Sequence, residues 1–287
     1  MDRIFSIPGD VERCCRRLRR AGHAAYLVGG AVRDLAAGRV PEDWDAAASA
    51  RPEELLALFG DRALPTGAAH GTVTVDTGAR MLEITTFRRE GPYSDGRRPD
   101  WVEFVDRLDV DLARRDFTVN ALALDEAGKV IDLFGGLKDL ERRVIRTVGA
   151  PADRFHEDGL RMYRGARLAA QLDFSLGAAE GAALAAHPEW GDPISAERIR
   201  IELEKGLCAP APQRLAPLFS GGLLARFLDA PADPELSDLG RLAPEPSARW
   251  AGLCALLLAQ GAIREPETFL RRFHMDKRTL RGALALL

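Results

Sequence analysis

The stretch YLVGGAVRDLAAGRVPEDWDAAASA, residues 26–50, decides how the first half of the chain folds. Apolar residues from Ala25 to Val28 predict a short strand, and the pattern from Gly30 to Ala37 predicts a helix. Gly29 and Gly30 lie at the junction, where glycine lets the backbone approach a ligand and the helix start offers free N–H groups to a phosphate. Such turns also occur for structural reasons alone, so this one by itself predicts only a strand, a turn and a helix.

Asp43 and Asp45 lie in the segment DWDAAAS, which we interpret as a strand. Residues i and i+2 of a strand face the same side, so the two carboxylates would meet at one place and suit Mg²⁺. Glu83, in the strand-like segment RMLEITTF, is a candidate third carboxylate. Surface acids remain the alternative for the aspartate pair alone. Together with the glycine turn, three carboxylates on a small sheet describe a site for two-metal nucleotidyl transfer.

The rest of the first half alternates strand and helix patterns. Residues 88–100, RREGPYSDGRRPD, are rich in Gly, Pro, Asp and Arg and are predicted to form a loop that is long enough to suggest a function. The other predicted elements are a helix over 9–21, the helix PEELLALFG starting at Pro52, and the strands GTVTVDT, RMLEITTF and WVEFV.

From about Pro151 onward the pattern is helical, with no convincing strand. DRFHEDGLRMYRGARLAAQL is predicted to be one helix, and ISAERIRIELEKGL another with Ser195 as its N-cap. Residues 229–247 are rich in Pro and Asp and predict a linker before a last helical stretch. The fold class is therefore α+β, with an α/β head and an all-helical remainder.

The composition is that of an ordinary globular protein, and 287 residues suffice for about two domains. A net charge of −3 argues against binding nucleic acid through bulk charge. No apolar run of roughly 18 residues occurs, and the start lacks a basic and then apolar leader pattern, so we predict a cytoplasmic protein without membrane association. The four cysteines show neither C-x-x-C nor zinc-finger spacing and are predicted to be buried or incidental thiols.

Two charged segments are further candidates for ligand binding. In LARRDFTVNALAL, Arg114 and Arg115 would reach a phosphate, Asp116 a ribose hydroxyl, and Asn120 would add a polar contact; a capping and salt-bridging cluster is an equally open interpretation.

The segment EDGLRMYRGARLA places Asp158, Arg161, Arg164 and Arg167 at a spacing of three, and Glu157 can brace Arg161. A charged stripe usually faces solvent. Apolar residues surround this one, however, so its arginines would need partners such as nucleotide phosphates or base edges.

Taken together, the motifs resemble the class II tRNA nucleotidyltransferase family, which comprises the CCA-adding enzymes and related bacterial poly(A) polymerases. The resemblance covers about residues 23–207 and rests on the ordered set LVGGAVRD, DWD, EITTFRREGPYSDGRRPDWVEF, RRDFTVNA, DLFGGLKDL and EDGLRMYR. It implies a polymerase-beta-like head with a mixed sheet over 1–145, a helical neck with base recognition over 146–210, and a helical body that binds tRNA over 211–287.

The resemblance also implies roles for individual head residues. Gly30 and Arg33, next to Gly29, would bind the triphosphate, and Asp43 and Asp45 would hold two Mg²⁺ ions. Glu83 would be the supporting carboxylate.

The remaining implied roles concern nucleotide recognition. Arg115 and Asp116, with Asn120 nearby, match the segment that recognises phosphate and ribose. Asp158 and Arg161 match the pair that reads the base edge of CTP or ATP. Arg164 and Arg167 match further nucleotide contacts.

The resemblance predicts a Mg²⁺-dependent enzyme that adds CMP and AMP to the tRNA 3′ end. The loop from Arg88 to Asp100 matches the family's flexible segment, which counts against a CC-only enzyme. Two departures from the family are the apolar AAAS after Asp45 and the end at Leu287, which leads us to expect a reduced or absent tail for the tRNA elbow.

An A-adding-only enzyme or a poly(A) polymerase has the same motifs and stays open as an alternative. An inactive tRNA- or nucleotide-binding module would not need paired metal carboxylates. A Rossmann-type enzyme is disfavoured because GGAVRD lacks the G-x-G-x-x-G spacing. The sequence does not indicate an oligomeric state.

Overall fold

The computed structural model describes residues 5–94, 96 and 98–287. These fall into two units. The head unit comprises the described residues of 1–92 and 99–142, and the helical unit those of 93–98 and 143–287. The predicted division of the helical part into a neck and a body stays a prediction.

Short helices and strands alternate in the head unit, as the sequence predicts. Its helices are α1 (Gly9–Arg20), α2 (Gly30–Ala36), α3 (Pro52–Phe59), α4 (Leu108–Ala113) and α5 (Gly136–Arg142). Its strands are β1 (Ala25–Val28), β2 (Asp45–Ala48), β3 (Ala63–Gly67), β4 (Thr72–Asp76), β5 (Met81–Thr86), β6 (Arg88–Glu90), β7 (Val102–Phe104), β8 (Leu122–Leu124) and β9 (Val130–Asp132). Short 3₁₀ turns cover Gly60–Arg62, Ala68–His70 and Thr118–Asn120.

A mixed seven-stranded sheet of order β3-β4-β5-β2-β1-β8-β9 forms the centre of the head. β2 and β5 are parallel, whereas β1 pairs with β2 and with β8 in antiparallel fashion. The alanines of β2 are fully buried: Ala46 and Ala48 pack with α1 and α3, and Ala47 packs on the other face with Phe87 and Leu112. The apolar AAAS segment is therefore a central strand that is covered on both faces.

Four strands of the head, β3, β6, β8 and β9, were not predicted from the sequence. Arg88–Glu90 was predicted to be part of a loop, but it is β6 and pairs with β7 in a hairpin. Its residues are all charged and carry no apolar alternation, so the strand could be recognised only from its pairing with β7. Strand β3 was not predicted because Pro65 interrupts it, which is acceptable at a sheet edge. Positions 95 and 97 of the predicted loop lie outside the described residues.

The helical unit contains the helices α6 (Pro151–Glu157), α7 (Leu160–Leu172), α8 (Ala178–Ala186), α9 (Ala196–Leu207), α10 (Ala216–Ser220), α11 (Pro246–Ala259), α12 (Pro266–Arg272) and α13 (Lys277–Ala285). Short 3₁₀ turns cover Pro188–Gly191, Pro212–Leu215, Ala225–Phe227 and Ser237–Arg241. One apolar core runs from Phe155 to Ala283 and contains the rings of Tyr163, Trp250 and Phe273. The prediction that no strand follows Pro151 is wrong, because β10 (Val144–Ile145) pairs in parallel with β11 (Ser175–Leu176).

The prediction of one continuous helix over DRFHEDGLRMYRGARLAAQL is also wrong. The chain leaves the helix at Asp158, whose φ and ψ of −144° and 105° are extended, and re-enters it at Leu160. Gly159 lies against the backbone of Trp190, where an added Cβ would be 2.0 Å from the carbonyl oxygen. This contact is distant in sequence, so the helical periodicity of the segment could not reveal the break.

We expect Gly159→Ala to lower the free energy of unfolding of the helical unit by about 1–3 kcal/mol, because the new methyl group overpacks the contact with Trp190. Gly181→Ala is the matched control, since Gly181 lies within α8 with no atom within 4 Å of the added Cβ. That change should raise stability by about 0.5–1 kcal/mol. Denaturant unfolding of both variants measures the difference, and equal effects would contradict the packing argument.

No helix in the described ranges is long and apolar enough to cross a membrane. The thiols of Cys14, Cys15, Cys208 and Cys254 are free, and all except that of Cys208 are buried. Burial raises the pKa of the Cys15 thiol to about 11, so it stays protonated at neutral pH.

Candidate active site

The glycine turn after β1 brings three of the predicted site residues together. Gly29 has a φ of 76°, and an added Cβ would lie 3.4 Å from Nη1 of Arg115 and 3.6 Å from Oδ2 of Asp45. Val28 pairs with Asp45 across β1 and β2, which explains why the turn and the carboxylate share one end of the sheet. The positive φ favours glycine here, and the absence of a side chain leaves the backbone of the turn accessible to a ligand.

Asp45 is the centre of the carboxylate group. It is the first residue of β2 and lies directly beside Glu83 of β5 in the parallel register. Burial, together with the negative charges of Glu83 and Asp43, raises the pKa of Asp45, and Arg115 opposes that rise. Glu83 and Asp43 thus repel the charged form of Asp45, and Arg115 offsets this repulsion only in part. A bound cation would reduce the repulsion further.

Asp43 differs from its sequence-based interpretation. It is exposed and precedes β2 instead of lying within it, so the same-face argument for residues i and i+2 does not apply. Trp44, which is 3% exposed, anchors the chain between the two aspartates. Within the described ranges, no three His, Cys, Asp or Glu side chains are close enough together to enclose a metal ion, so Glu83 does not complete a closed cage with the aspartates.

Arg115 is oriented by a carboxylate that the sequence analysis missed. Its Nη2 donates to Oδ2 of Asp111 at 3.2 Å, and Asp111 is fully buried. Oδ1 of Asp111 accepts from Nε and Nη2 of Arg114 at 2.9 and 2.8 Å. The spacing D-x-x-R-R at the end of α4 was the available signal, since side chains three and four positions apart meet across a helical turn.

One buried N–H donor beside Asp111, Nε of Arg115, differs from its neighbours. Arg114 also donates from Nη1 to Oε1 of Glu90 at 3.1 Å, so the carboxylates of Asp111 and Glu90 both accept from Arg114. Nε of Arg115, in contrast, is buried and has no hydrogen-bond partner among the described residues. An unsatisfied buried donor is costly, and a phosphate oxygen would satisfy it.

Arg33 and Asn120 form a second pair in the head. Arg33 donates from Nε and Nη2 to the carboxylate of Asp34, both at 2.9 Å, and from Nη1 to Oδ1 of Asn120 at 2.8 Å. Asn120, predicted as a nucleotide contact, holds Arg33 in the structure. The side chain of Asp116 accepts from the N–H of Phe117 at 2.8 Å.

The helical unit holds the other predicted residues at the break before α7. Oδ1 of Asp158 accepts from the N–H of Leu160 at 3.0 Å, and Oδ2 lies 3.6 Å from Nη2 of Arg198. Burial raises the pKa of Asp158, while Arg198 and Arg161 oppose this. The predicted helical stripe is therefore wrong for Asp158, which lies just before the first turn of α7.

Arg161 is 6% exposed and is braced by Glu157, as the sequence predicts. Its guanidinium also donates to the carbonyl oxygen of Arg154 at 3.2 Å and lies over the ring of Tyr93, 5.6 Å from the centroid. Tyr93 belongs to the segment that was predicted as a loop. No local pattern indicates that its ring meets this arginine, because the contact joins segments that are distant in sequence.

The other two arginines of α7 differ in surroundings. Arg164 is half-buried, and its charge acts on the carboxylate of Asp158. Arg167 is ion-paired with Glu202 of α9 and hydrogen-bonded to Gln171. Arg167 therefore connects two helices, and its predicted nucleotide contact would have to be shared with these partners.

We expect Gly29→Ala to abolish most of the activity of this site, because the new methyl group would lie in contact with Arg115 and Asp45 and fill space that a bound phosphate needs. It should also cost about 1–3 kcal/mol of stability through its backbone strain. Gly38→Ala is the matched control, since Gly38 also has a positive φ, of 73°, but no atom within 4 Å of the added Cβ. Nucleotide incorporation and thermal unfolding are measured for both. Equal activity losses would show that strain alone is responsible.

Comparison with known proteins places this chain in a family. A family model described as the poly A polymerase head domain matches residues 25–146. A CCA-adding enzyme from Geobacillus thermodenitrificans is 41% identical over 283 residues, which are 95% of this chain and 68% of that protein. The chain belongs to the CCA-adding enzyme family. A second CCA-adding enzyme, from Geobacillus kaustophilus, is 42% identical with the same coverage of both chains.

A solved structure supports the assignment to the CCA-adding enzyme family. The Bacillus stearothermophilus CCA-adding enzyme in complex with CTP superimposes with a TM-score of 0.84 at 36% identity, covering 97% of this chain and 69% of that one. The match extends through both units, so the mixed-sheet head and the helical remainder predicted from sequence are confirmed. Members of the CCA-adding enzyme family are nucleotidyltransferases, and so is this chain.

Proposed function

We propose that the protein adds CMP and AMP, from CTP and ATP, to the 3′ end of tRNA and releases pyrophosphate. The convergence of Gly29, Asp45 and Arg115 at one end of the sheet carries the proposal. It joins a phosphate-accessible turn, a metal-type carboxylate and a guanidinium in a chain whose relatives are CCA-adding enzymes. A cytoplasmic location is part of the proposal, since tRNA, CTP and ATP occur together there.

The donor set suits Mg²⁺, held by Asp43 and Asp45. Mg²⁺ prefers carboxylate oxygens and usually takes one or two of them, completing its shell with water and substrate phosphates. The raised pKa of Asp45 beside two other carboxylates supports this, because a divalent cation would offset their mutual repulsion. When bound, Mg²⁺ supplies acidification of the attacking hydroxyl and neutralisation of charge on the triphosphate.

The chain's own head residues position the nucleotide. Gly29 and Gly30 allow the triphosphate to approach the start of α2, where the first N–H groups of a helix have no intrahelical partner. Arg115 presents its unpaired Nε to a phosphate oxygen while Asp111 fixes the plane of its guanidinium. Arg33, fixed by Asp34 and Asn120, adds positive charge at the first turn of α2.

Base selection is assigned to Asp158 and Arg161. Cytosine and adenine both present an amino donor beside a ring-nitrogen acceptor, so one carboxylate and one guanidinium can satisfy either base. Uracil and guanine would leave these buried groups unpaired or opposed. Leu160 and Arg198 hold the Asp158 carboxylate, and Glu157 and Tyr93 hold Arg161, so both readers are fixed before a nucleotide arrives.

A poly(A) polymerase or an A-adding-only enzyme is the second candidate, and the matching poly A polymerase head family favours keeping it. All three activities use the same chemistry and differ in the acceptor and in the base. We assign tRNA binding to the helical region 211–287, as the resemblance implies.

One experiment separates these candidates. Purified protein is given Mg²⁺ and tRNA ending at the discriminator base or at CC, with labelled CTP alone, ATP alone or both. A CCA-adding enzyme adds CC and then A and stops. Addition of AMP only to the tRNA that ends in CC indicates an A-adding enzyme, and long A tails indicate a poly(A) polymerase. Binding of nucleotide without incorporation into any tRNA would indicate an inactive binding module.

A further inference from the structure

A cavity of about 440 Å³ lies in the head unit between α1, the turn after α3 and the end of β4. We call it the basic cavity, and its charged lining consists of Asp10, Arg13, Arg16, Arg17, Arg20, Arg62 and Asp76. The volume is within the usual range for small-ligand sites. None of the residues assigned to the nucleotide site lines it.

Most of these arginines have no counter-charge. Arg16 pairs with Glu12 in the preceding turn of α1. Arg17 places its guanidinium over the ring of Phe59, 5.4 Å from the centroid. Among the described residues, the side chains of Arg13, Arg20 and Arg62 form neither an ion pair nor a hydrogen bond. An exposed arginine is commonly just solvated, but a group of unpaired arginines around one concavity concentrates positive potential.

The two acids of the lining are already engaged. Asp10 is 9% exposed and accepts from Nε of Arg80 and from the hydroxyl of Thr77, both at 2.8 Å. Asp76 accepts from the N–H of Gly78 at 2.8 Å. Neither acid forms an ion pair with a lining arginine, so the cavity keeps an excess of positive charge in a chain whose net charge is −3.

The apolar floor of the cavity strengthens this charge. Cys14, Phe59 and Val75 line it and are all buried. Burial and the negative charge of Asp10 raise the pKa of the Cys14 thiol, and the charges of Arg13, Arg17 and Arg62, which line the same cavity, oppose that rise. Charges above a low-dielectric floor act on a ligand more strongly than charges on a flat, wet surface.

We propose that the basic cavity is a second anion site, separate from the nucleotide site, which binds phosphate groups through Arg13, Arg17, Arg20 and Arg62. Guanidinium groups bind phosphate in bidentate fashion, and the unpaired state of these side chains means that no ion pair must first be broken. The phosphates come from the RNA backbone or from a free polyphosphate. Binding of the RNA backbone rests on the proposed function, whereas binding of a free polyphosphate is independent of it.

The test uses the full chain and the variant Arg13→Gln/Arg17→Gln/Arg20→Gln, because glutamine keeps the helix propensity of α1. Binding of tRNA is measured between 50 and 200 mM salt. Each lost phosphate contact should reduce the slope of log affinity against log salt by about 0.7–0.9, so we expect the slope to fall by about 2 or more. The rate of nucleotide incorporation at saturating tRNA should be unchanged.

The matched control, Arg89→Gln/Arg107→Gln/Arg143→Gln, removes the same charge from exposed arginines that are paired with carboxylates and lie outside both the basic cavity and the region 211–287. Calorimetry with pyrophosphate in the absence of Mg²⁺ tests the free anion. If the salt slope of tRNA binding falls only in the cavity variant, the cavity contacts RNA. If the cavity variant loses only pyrophosphate binding, the ligand is a free polyphosphate. Equal slopes and equal pyrophosphate binding in all three proteins would overturn the proposal. Wild-type protein that does not incorporate nucleotides but still shows the slope difference would refute only the proposed function.

Discussion

Asp43→Asn and Asp45→Asn are each expected to reduce nucleotide incorporation by at least about a thousandfold, a loss of roughly 4 kcal/mol of transition-state stabilisation. An amide keeps the shape of the side chain but provides a neutral, weaker ligand for Mg²⁺. Initial rates with saturating CTP and tRNA measure the effect. Restoring activity by replacing Mg²⁺ with Mn²⁺ would show that the lost function is metal binding.

The same substitutions should leave the fold intact, and Asp45→Asn should not lower its stability. Because burial and the neighbouring carboxylates raise the pKa of Asp45, the folded protein holds this proton more tightly than the unfolded chain does. Ionisation at neutral pH therefore costs folding free energy, and a neutral amide removes that cost. Thermal unfolding at pH 7 in the absence of Mg²⁺ checks this expectation. An inactive Asp45→Asn protein with a lower melting temperature would indicate a structural role instead.

The second large effect concerns the choice of base. We expect Asp158→Asn to shift the preference for CTP over UTP by about 10- to 100-fold, which corresponds to one good pair of base-edge hydrogen bonds. The carboxylate accepts from the amino group of cytosine, whereas the amide can donate to the carbonyl oxygen at the same position of uracil. Ratios of kcat/KM for CTP, UTP, ATP and GTP measure the shift.

Arg198 supplies the discriminating control for this effect. It contacts no nucleotide in the proposed site but lies 3.6 Å from the carboxylate of Asp158, with its Nη1 buried and unpaired among the described residues. Arg198→Met should weaken selection in the same direction as Asp158→Asn, and Arg198→Lys should restore part of it. If Arg198→Met lowers only stability and leaves the four kcat/KM ratios unchanged, Arg198 is structural.

Local patterns predicted the parts of the fold that depend on neighbouring residues. The strand Ala25–Val28 and the helices starting at Gly30 and Pro52 were predictable because their apolar spacing and their glycine or proline signals lie within the segment itself. The break at Asp158 was not, since it depends on the contact between Gly159 and the backbone of Trp190.

The site shows the same division. Asp45 and Gly29 could be proposed from the sequence, and the register of β1 with β2 brings them together. Tyr93 and Arg198, which orient proposed ligand-binding groups, reach them from other elements of the chain and carry no motif of their own. Asp111 is different, because it lies four residues before Arg115 and the D-x-x-R-R spacing was its signal. Periodicity identifies candidate ligand-binding groups, but not the tertiary contacts that orient them.

The buried alanines of β2 have a consequence for how the enzyme would lose activity on heating. Ala46, Ala47 and Ala48 are at most 1% exposed and lie in the middle of the sheet, so their amides can open only when the head as a whole unfolds. Asp45 is covalently continuous with this most protected strand. Asp45 therefore has no separate local melting step, and loss of its part in the proposed metal site should coincide with the cooperative unfolding of the head.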